Sequence, residues 1–199
     1  MSNCKLTNVY RAYVWPFFLC LNFFSSLAFA QEVRYLSAAA PYRVCFTPQG
    51  ACTSKIVELI DGASKEIDAQ IYSFTSKKIA YALKNAVSRG VKVKVIYDQS
   101  NFDTENHHFS LAEYLTRHGA LCRVDDSVRI AHNKVLIIDH QWVVTGSFNF
   151  TYAAEFKNAE NVLMIKSSQL VDAYFKNFTH RWSISKNCRI RYGYSSRRQ

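Results

Sequence analysis

IDAQIYSFTSKKIAYALKNAVSRGVKVKVIY, residues 67–97, is the stretch whose reading decides the class of fold. Ile67 to Phe74 reads as a strand. Thr75 or Ser76 then supplies the oxygen that caps a helix in which Ile79, Leu83, Ala86 and Val87 share one face, until Arg89-Gly90 ends it. Val91, Val93 and Val95 alternate with Lys92 and Lys94 on the way to Tyr97, which is the period of a second strand.

The same alternation continues outward. Upstream, Tyr42 to Phe46 is a short strand, and Thr53 or Ser54 can cap a helix carrying Ile56, Val57, Ile60 and Ala63. Downstream, a helix over about Phe109 to His118 precedes a strand at Ala120 to Val124. Val135 to Asp139 and Trp142 to Thr145 form two strands joined by a tight turn at His140-Gln141, and Val162 to Ile165 adds another. A last helix near Ser168 to Trp182 lines up Val171, Tyr174, Phe175, Phe178 and Trp182 to close the core. The expected architecture is α/β, a mixed β-sheet flanked by helices on both faces.

Composition narrows the function. The chain has 199 residues, 49% of them hydrophobic and 15% aromatic, which excludes a disordered chain and suits one domain. Residues 1–30 read as a signal peptide. Lys5 and Arg11 precede an apolar run over Ala12 to Phe24, and Ala28-Phe29-Ala30 has the form of a cleavage site before Gln31. The apolar run is too short to anchor the chain stably in a membrane. Cleavage leaves 23 basic against 15 acidic residues, a net +8, over a single domain at 31–199. Such a surface expects an anionic partner, nucleic acid or an acidic membrane. Arg189, Arg191, Arg197 and Arg198, interleaved with Tyr192 and Tyr194, form a basic tail. Export places the protein in the periplasm or outside the cell, where cysteines oxidise. Cys45, Cys52, Cys122 and Cys188 allow three pairings. The turn around Pro48 and Gly50 favours a local Cys45–Cys52 bond, while Cys122 also reads as a small buried hydrophobe.

The chemistry is concentrated in His132-Asn133-Lys134, Asp139, Gly146-Ser147-Phe148-Asn149 and Glu160. Strand periodicity turns His132 and Lys134 to one side, and a hairpin returns Ser147 and Asn149 to the same sheet edge. An imidazole, an ammonium and two hydrogen-bonding side chains then converge on a volume that fits a phosphate with a nucleophile beside it. Scattered cysteines and the lack of CxxC or HExxH spacing give no metal site, and no cofactor is expected.

The run HNKVLIIDHQWVVTGSFN, residues 132–149, resembles the H-x-K-x4-D-x6-G-S-x-N signature of the phospholipase D superfamily with every spacing intact. TGSFNFTYAAEFKNAENV resembles the corresponding segment of its exported, single-motif bacterial members, the Nuc-type endonucleases, and the likeness extends from about Tyr42 to Trp182. The resemblance implies a phospholipase D-like sandwich that cleaves phosphodiesters without metal through a phosphohistidine. His132 would attack phosphorus. Lys134 and Asn149 would bind the non-bridging oxygens with Ser147 assisting, and Glu160 would hold the histidine ring. Asp139, fixed in the motif, would order the site. Two motif copies are needed and this chain holds one, so the resemblance implies a homodimer with a shared site. Three substrate readings compete. The basic surface favours a nuclease acting on DNA, and also on RNA; a phospholipase would share every catalytic residue; a nucleic-acid-binding protein without activity conflicts with an intact motif.

A histidine that attacks while neutral and a second that donates a proton while charged give a bell-shaped dependence of cleavage rate on pH. A profile that rises or falls monotonically through the histidine range would refute this division of labour.

Overall fold

The computed structural model describes residues 35–37, 39–102 and 110–188. The signal peptide read at 1–30 and the basic tail from Arg189 onward lie outside the described residues, as do His107 and His108.

Eight strands form one sheet: β1 Tyr42–Phe46, β2 Glu66–Ile71, β3 Lys92–Asp98, β4 Leu121–Asp125, β5 Lys134–Ile138, β6 Trp142–Gly146, β7 Asn161–Lys166 and β8 Lys186–Asn187. Their spatial order is β1-β7-β6-β5-β2-β3-β4-β8. β2, β3 and β4 run parallel, whereas β2–β5, β5–β6, β6–β7, β1–β7 and β4–β8 are antiparallel. The sheet is therefore mixed, as the alternation predicts.

Five α-helices accompany it among the described residues: α1 Cys52–Asp61, α2 Lys77–Ser88, α3 Leu111–Arg117, α4 Tyr152–Phe156 and α5 Ser168–Ile184. Two separate cores show that both sheet faces are covered. Ile56 and Ile60 of α1 and Ile79 and Leu83 of α2 pack with Ile67, Ala69, Val93, Leu136 and Val144. On the other face Val171 and Phe178 of α5 pack with Ile96, Val135, Ile137, Val143 and Ile165, joined by Tyr174, Phe175 and Trp182. Because β5 lies between these layers, all five of its residues are buried. No helix among the described residues is long and apolar enough to cross a membrane.

Local details depart from the sequence reading where the deciding partner is remote. Ser76 caps α2 as expected, accepting from Ile79 N at 3.4 Å. Neither Thr53 nor Ser54 caps α1. The helix begins at Cys52, behind a left-handed Ala51, and the Thr53 N–H instead donates to Glu155 Oε2 at 2.7 Å. The β5–β6 turn sits one residue earlier than expected. Asp139 and His140 take the left-handed conformation at φ 52° and 54°, and Gln141 N donates to Ile138 O at 2.9 Å, which is a type I′ turn made without glycine.

Cys45 pairs with Cys52 as expected. Cys122 is not a free buried thiol: it bonds Cys188, tying β4 to the end of β8, and the Cys188 N–H donates to the Cys122 carbonyl at 3.3 Å. The two residues stand 66 apart in the chain, so the bond closes a long loop and restricts the unfolded state strongly. Replacing both Cys122 and Cys188 by serine is expected to cost about 2–4 kcal/mol, read as a lowered Tm in thermal unfolding, whereas an unchanged Tm would show that the bond does not form.

Candidate active site

Strand pairing brings the motif residues to one sheet edge. Lys134 opens β5 opposite Ile71, the last residue of β2, and the Tyr72 N–H donates to the Asn133 carbonyl at 2.9 Å. β6 runs back beside β5, with Thr145 opposite Val135, and delivers Ser147 just past Gly146. Gly146 pairs with Val162, so Glu160, just before β7, arrives at the same edge. Gly146 is required here. Its φ is +155°, and a Cβ would stand 2.2 Å from the Asn161 carbonyl oxygen.

His132 lies immediately before β5 with its side chain exposed, and among the described residues its ring has no hydrogen-bond partner. It packs on Tyr72, with ring centroids 4.3 Å apart. Lys134 reaches the same aromatic ring: its Nζ stands 4.9 Å over Tyr72 and donates to the His132 carbonyl at 2.9 Å. The imidazole and the ammonium thus lie on one side, as strand alternation requires. Tyr72 is the platform beneath both, and its place just after the β2 run is the only sequence signal that could have found it. Lys134 is 7% exposed. Burial pushes its ammonium below the usual lysine range, and the Glu160 carboxylate offsets part of that shift.

Ser147 and Glu160 form a second cluster. Ser147 Oγ donates to Glu160 Oε2 at 2.5 Å and accepts from Asn161 N at 3.1 Å and Asn161 Nδ2 at 3.3 Å. Asn158 Nδ2 donates to Glu160 Oε1 at 2.9 Å, and the Glu160 N–H donates to Thr47 Oγ1 at 3.1 Å. Both carboxylate oxygens are therefore engaged within the chain. Among the described residues no hydrogen bond joins Glu160 to the ring of its own chain's His132, so within one chain its carboxylate is held by Ser147 and Asn158 and not against that ring. Asn149 follows at the same edge, and its buried Oδ1 makes no hydrogen bond among the described residues. Such an unmet group costs roughly 1–3 kcal/mol unless something fills it.

Asp139 stands apart. It follows the far end of β5, five residues from Lys134 and so roughly 16 Å along the strand. Its Oδ2 accepts from Ser64 N at 2.8 Å and Ser64 Oγ at 3.0 Å, and its Oδ1 from Lys65 N at 2.8 Å and Glu66 N at 3.0 Å. Set among the site residues with an ordering role in the sequence reading, it is a positioning residue here, since these contacts order the turn and not the edge that carries Lys134. Near it, His140 Nε2 lies 3.2 Å from Glu66 Oε2, in a group with Asp68 that sequence reasoning did not anticipate. Lys94 pairs with both acids. An ammonium already occupies the place a cation would take, so the group is an ion-pair network under α5.

Residues 56–182 match the family described as cardiolipin synthase, PLD-like domain. The chain belongs to the phospholipase D superfamily. A protein named phospholipase D from Rickettsia conorii is 44% identical over 137 residues, covering 69% of this chain and 67% of that one. The crystal structure of Nuc, a phospholipase D family member from Salmonella typhimurium, is 34% identical with a TM-score of 0.68, covering 75% of this chain and 99% of that one. NucT from Helicobacter pylori shares the fold at 23% identity and a TM-score of 0.65, covering 74% and 100%. This phospholipase D-like chain is of the Nuc-like kind, and it is a phosphodiesterase by family.

Burial raises the Asp139 carboxyl, but the backbone and hydroxyl donors of Ser64, Lys65 and Glu66 outweigh burial and hold it below the ordinary aspartate range. Stability from a depressed carboxyl is present above the unfolded value and lost as pH falls through the folded one. Asp139→Asn is therefore expected to lower Tm at neutral pH, with the gap from the wild type closing below about pH 4. A gap of constant size down to pH 2 would sink the assignment.

Proposed function

We propose that the protein is an exported, metal-independent and largely non-specific endonuclease that hydrolyses nucleic-acid phosphodiester bonds through a phosphohistidine, with its site shared across a homodimer. The observation that carries this reading is the edge cluster itself: an exposed imidazole without a hydrogen bond among the described residues, beside a buried ammonium, at the sheet edge that also carries Ser147, Asn149 and Glu160.

A phosphodiester repels nucleophiles until its charge is neutralised; Lys134 supplies the countercharge and the Asn149 amide N–H a hydrogen bond to a non-bridging oxygen. The His132 ring nitrogen then forms a bond to phosphorus while the bond to the leaving oxygen breaks. That oxygen takes a proton from the partner subunit's His132. Water next attacks phosphorus, gives its proton to the same partner imidazole, and breaks the phosphorus–nitrogen bond, which restores both rings. Symmetry provides the acid that a single chain lacks. It also lets a neighbouring chain supply the hydrogen bond that the His132 ring does not find within its own.

The net charge of +8 after signal removal favours a polyanion. Export fits the pairing of all four cysteines beyond residue 30; we place the protein in the periplasm or outside the cell, free of a stable membrane anchor. A second reading, hydrolysis of phospholipids, draws on Val128 and Ile130, which are 39% and 40% exposed in the loop before His132, and on the name of the Rickettsia relative.

Purified protein is expected to cut plasmid and single-stranded DNA in excess EDTA, with activity falling steeply as salt rises and at least 1,000-fold lower in His132→Ala, a scale on the order of that for losing a catalytic nucleophile. Release of headgroup from phospholipid vesicles with DNA left intact would overturn the substrate and leave the site standing.

A further inference from the structure

One cavity of about 470 Å³ adjoins the candidate site without belonging to it. It lies where the beginnings of α1 and α2 meet α4, and its size suits a small organic group. Its connection to the catalytic motif is direct. Thr151, in its wall, donates its N–H to the Asn149 carbonyl at 2.7 Å, and Thr75 N and Ser76 N, also of the wall, donate to the Phe150 carbonyl at 3.0 and 2.9 Å. A ligand in the cavity is thus held by the same strand-to-helix connection that carries Asn149.

The lining has three distinct parts. Tyr152 and Phe156 are 61% and 54% exposed, with ring centroids 4.7 Å apart, and present flat apolar surface. Lys77 and Lys78 are exposed and carry no ion pair among the described residues. Glu155 is the unexpected member. Only 7% exposed, it gives Oε2 to the Thr53 N–H, while its Oε1 accepts no hydrogen bond among the described residues. That oxygen is not closed off in the protein and is left able to accept a donor in the cavity.

We propose that this cavity is a subsite for an unpaired nucleobase of a nucleotide flanking the scissile phosphate, a proposal that rests on the nuclease reading and deepens it. Aromatic faces stack any base, which suits cleavage without strict sequence preference. The free oxygen of Glu155 accepts a ring N–H or exocyclic amine from the Watson–Crick edge, which is available only when the base is out of a duplex. Lys77 and Lys78 sit where the adjoining phosphate needs countercharge. A phospholipid offers the cavity neither a flat ring nor, in an acyl chain, any donor for Glu155.

The test compares two single-stranded oligonucleotides, one intact and one abasic at the positions flanking a single cleavable linkage. Binding to full-length His132→Ala protein reads the subsite without turnover, and cleavage by the wild type reads it during turnover. The expected result is roughly tenfold weaker binding of the abasic strand, in line with the loss of one base stack. Tyr152→Ala, a change at an exposed position, should abolish that difference, and Glu155→Gln should shrink it while the fold survives by circular dichroism. Equal binding of both strands would overturn the proposal. So would competition by phosphatidylglycerol vesicles that Tyr152→Ala removes while the two strands bind alike, which assigns the cavity to lipid. If the wild type cuts neither strand but still discriminates between them in binding, the nuclease reading fails and the subsite stands.

Discussion

The arrangement of this molecule depends on the hydrogen bonds that gather residues 64–66 around the Asp139 carboxylate. They stabilise a turn whose two central residues are left-handed and neither of which is glycine, a conformation open to aspartate more than to most residues and held here by partners from β2 and the residues before it. The turn sets the register of β5 against β6, and the Asp139 N–H, donating to the Glu66 carbonyl at 2.8 Å, extends the pairing of β5 with β2. A slip of one residue would exchange the faces of Lys134 and Val135, driving the ammonium into the apolar core under α5. The catalytic edge is thus determined from the far end of the same strands. This explains why an aspartate roughly 16 Å along the strand from Lys134 belongs to the motif.

Much of this was legible in the sequence because the information is local. Period-two and period-3.6 patterns located the strands and the long helices, including the α5 face of Val171, Tyr174, Phe175, Phe178 and Trp182. Motif spacing located the hairpin and the edge where His132, Lys134, Ser147 and Glu160 meet. What escaped the reading shares one physical cause, a partner distant in the chain. Thr53 looked like a cap until Glu155, 102 residues away, took its N–H. Cys122 sits in an apolar run that hides its bond to Cys188. α4 and β8 are five and two residues long, too short to show a period and formed only because tertiary contacts hold them.

The polar layer beneath α5 has the same origin. Glu66, Asp68 and Gln70 alternate with Ile67, Ala69 and Ile71 on β2, a pattern that a sequence reading assigns to a strand with one wet face. Both faces are in fact covered, and Asp68 is 1% exposed. Lys94 Nζ lies 3.2 Å from its Oδ1, and Gln70 Nε2 donates to Asn177 Oδ1 at 3.4 Å. Burial raises the Asp68 carboxyl. For Lys94 burial acts downward, and the two acids overcome it to hold the ammonium above its usual range. Removing one partner of such a network leaves an uncompensated buried charge, which constrains these positions more than their modest net contribution to stability implies.

The connection from β1 to α1 links the two halves of the functional edge. Its ends are closed by the Cys45–Cys52 bond, with Cα atoms 5.7 Å apart, and its bend requires Gly50, where a Cβ would stand 2.0 Å from the Phe46 carbonyl oxygen. From this one short segment Thr47 binds the Glu160 N–H through its hydroxyl and Thr53 gives its N–H to Glu155. The backbone of Glu160 and the carboxylate of Glu155, five residues apart, are therefore held by Thr47 inside the closed loop and by Thr53 just beyond it.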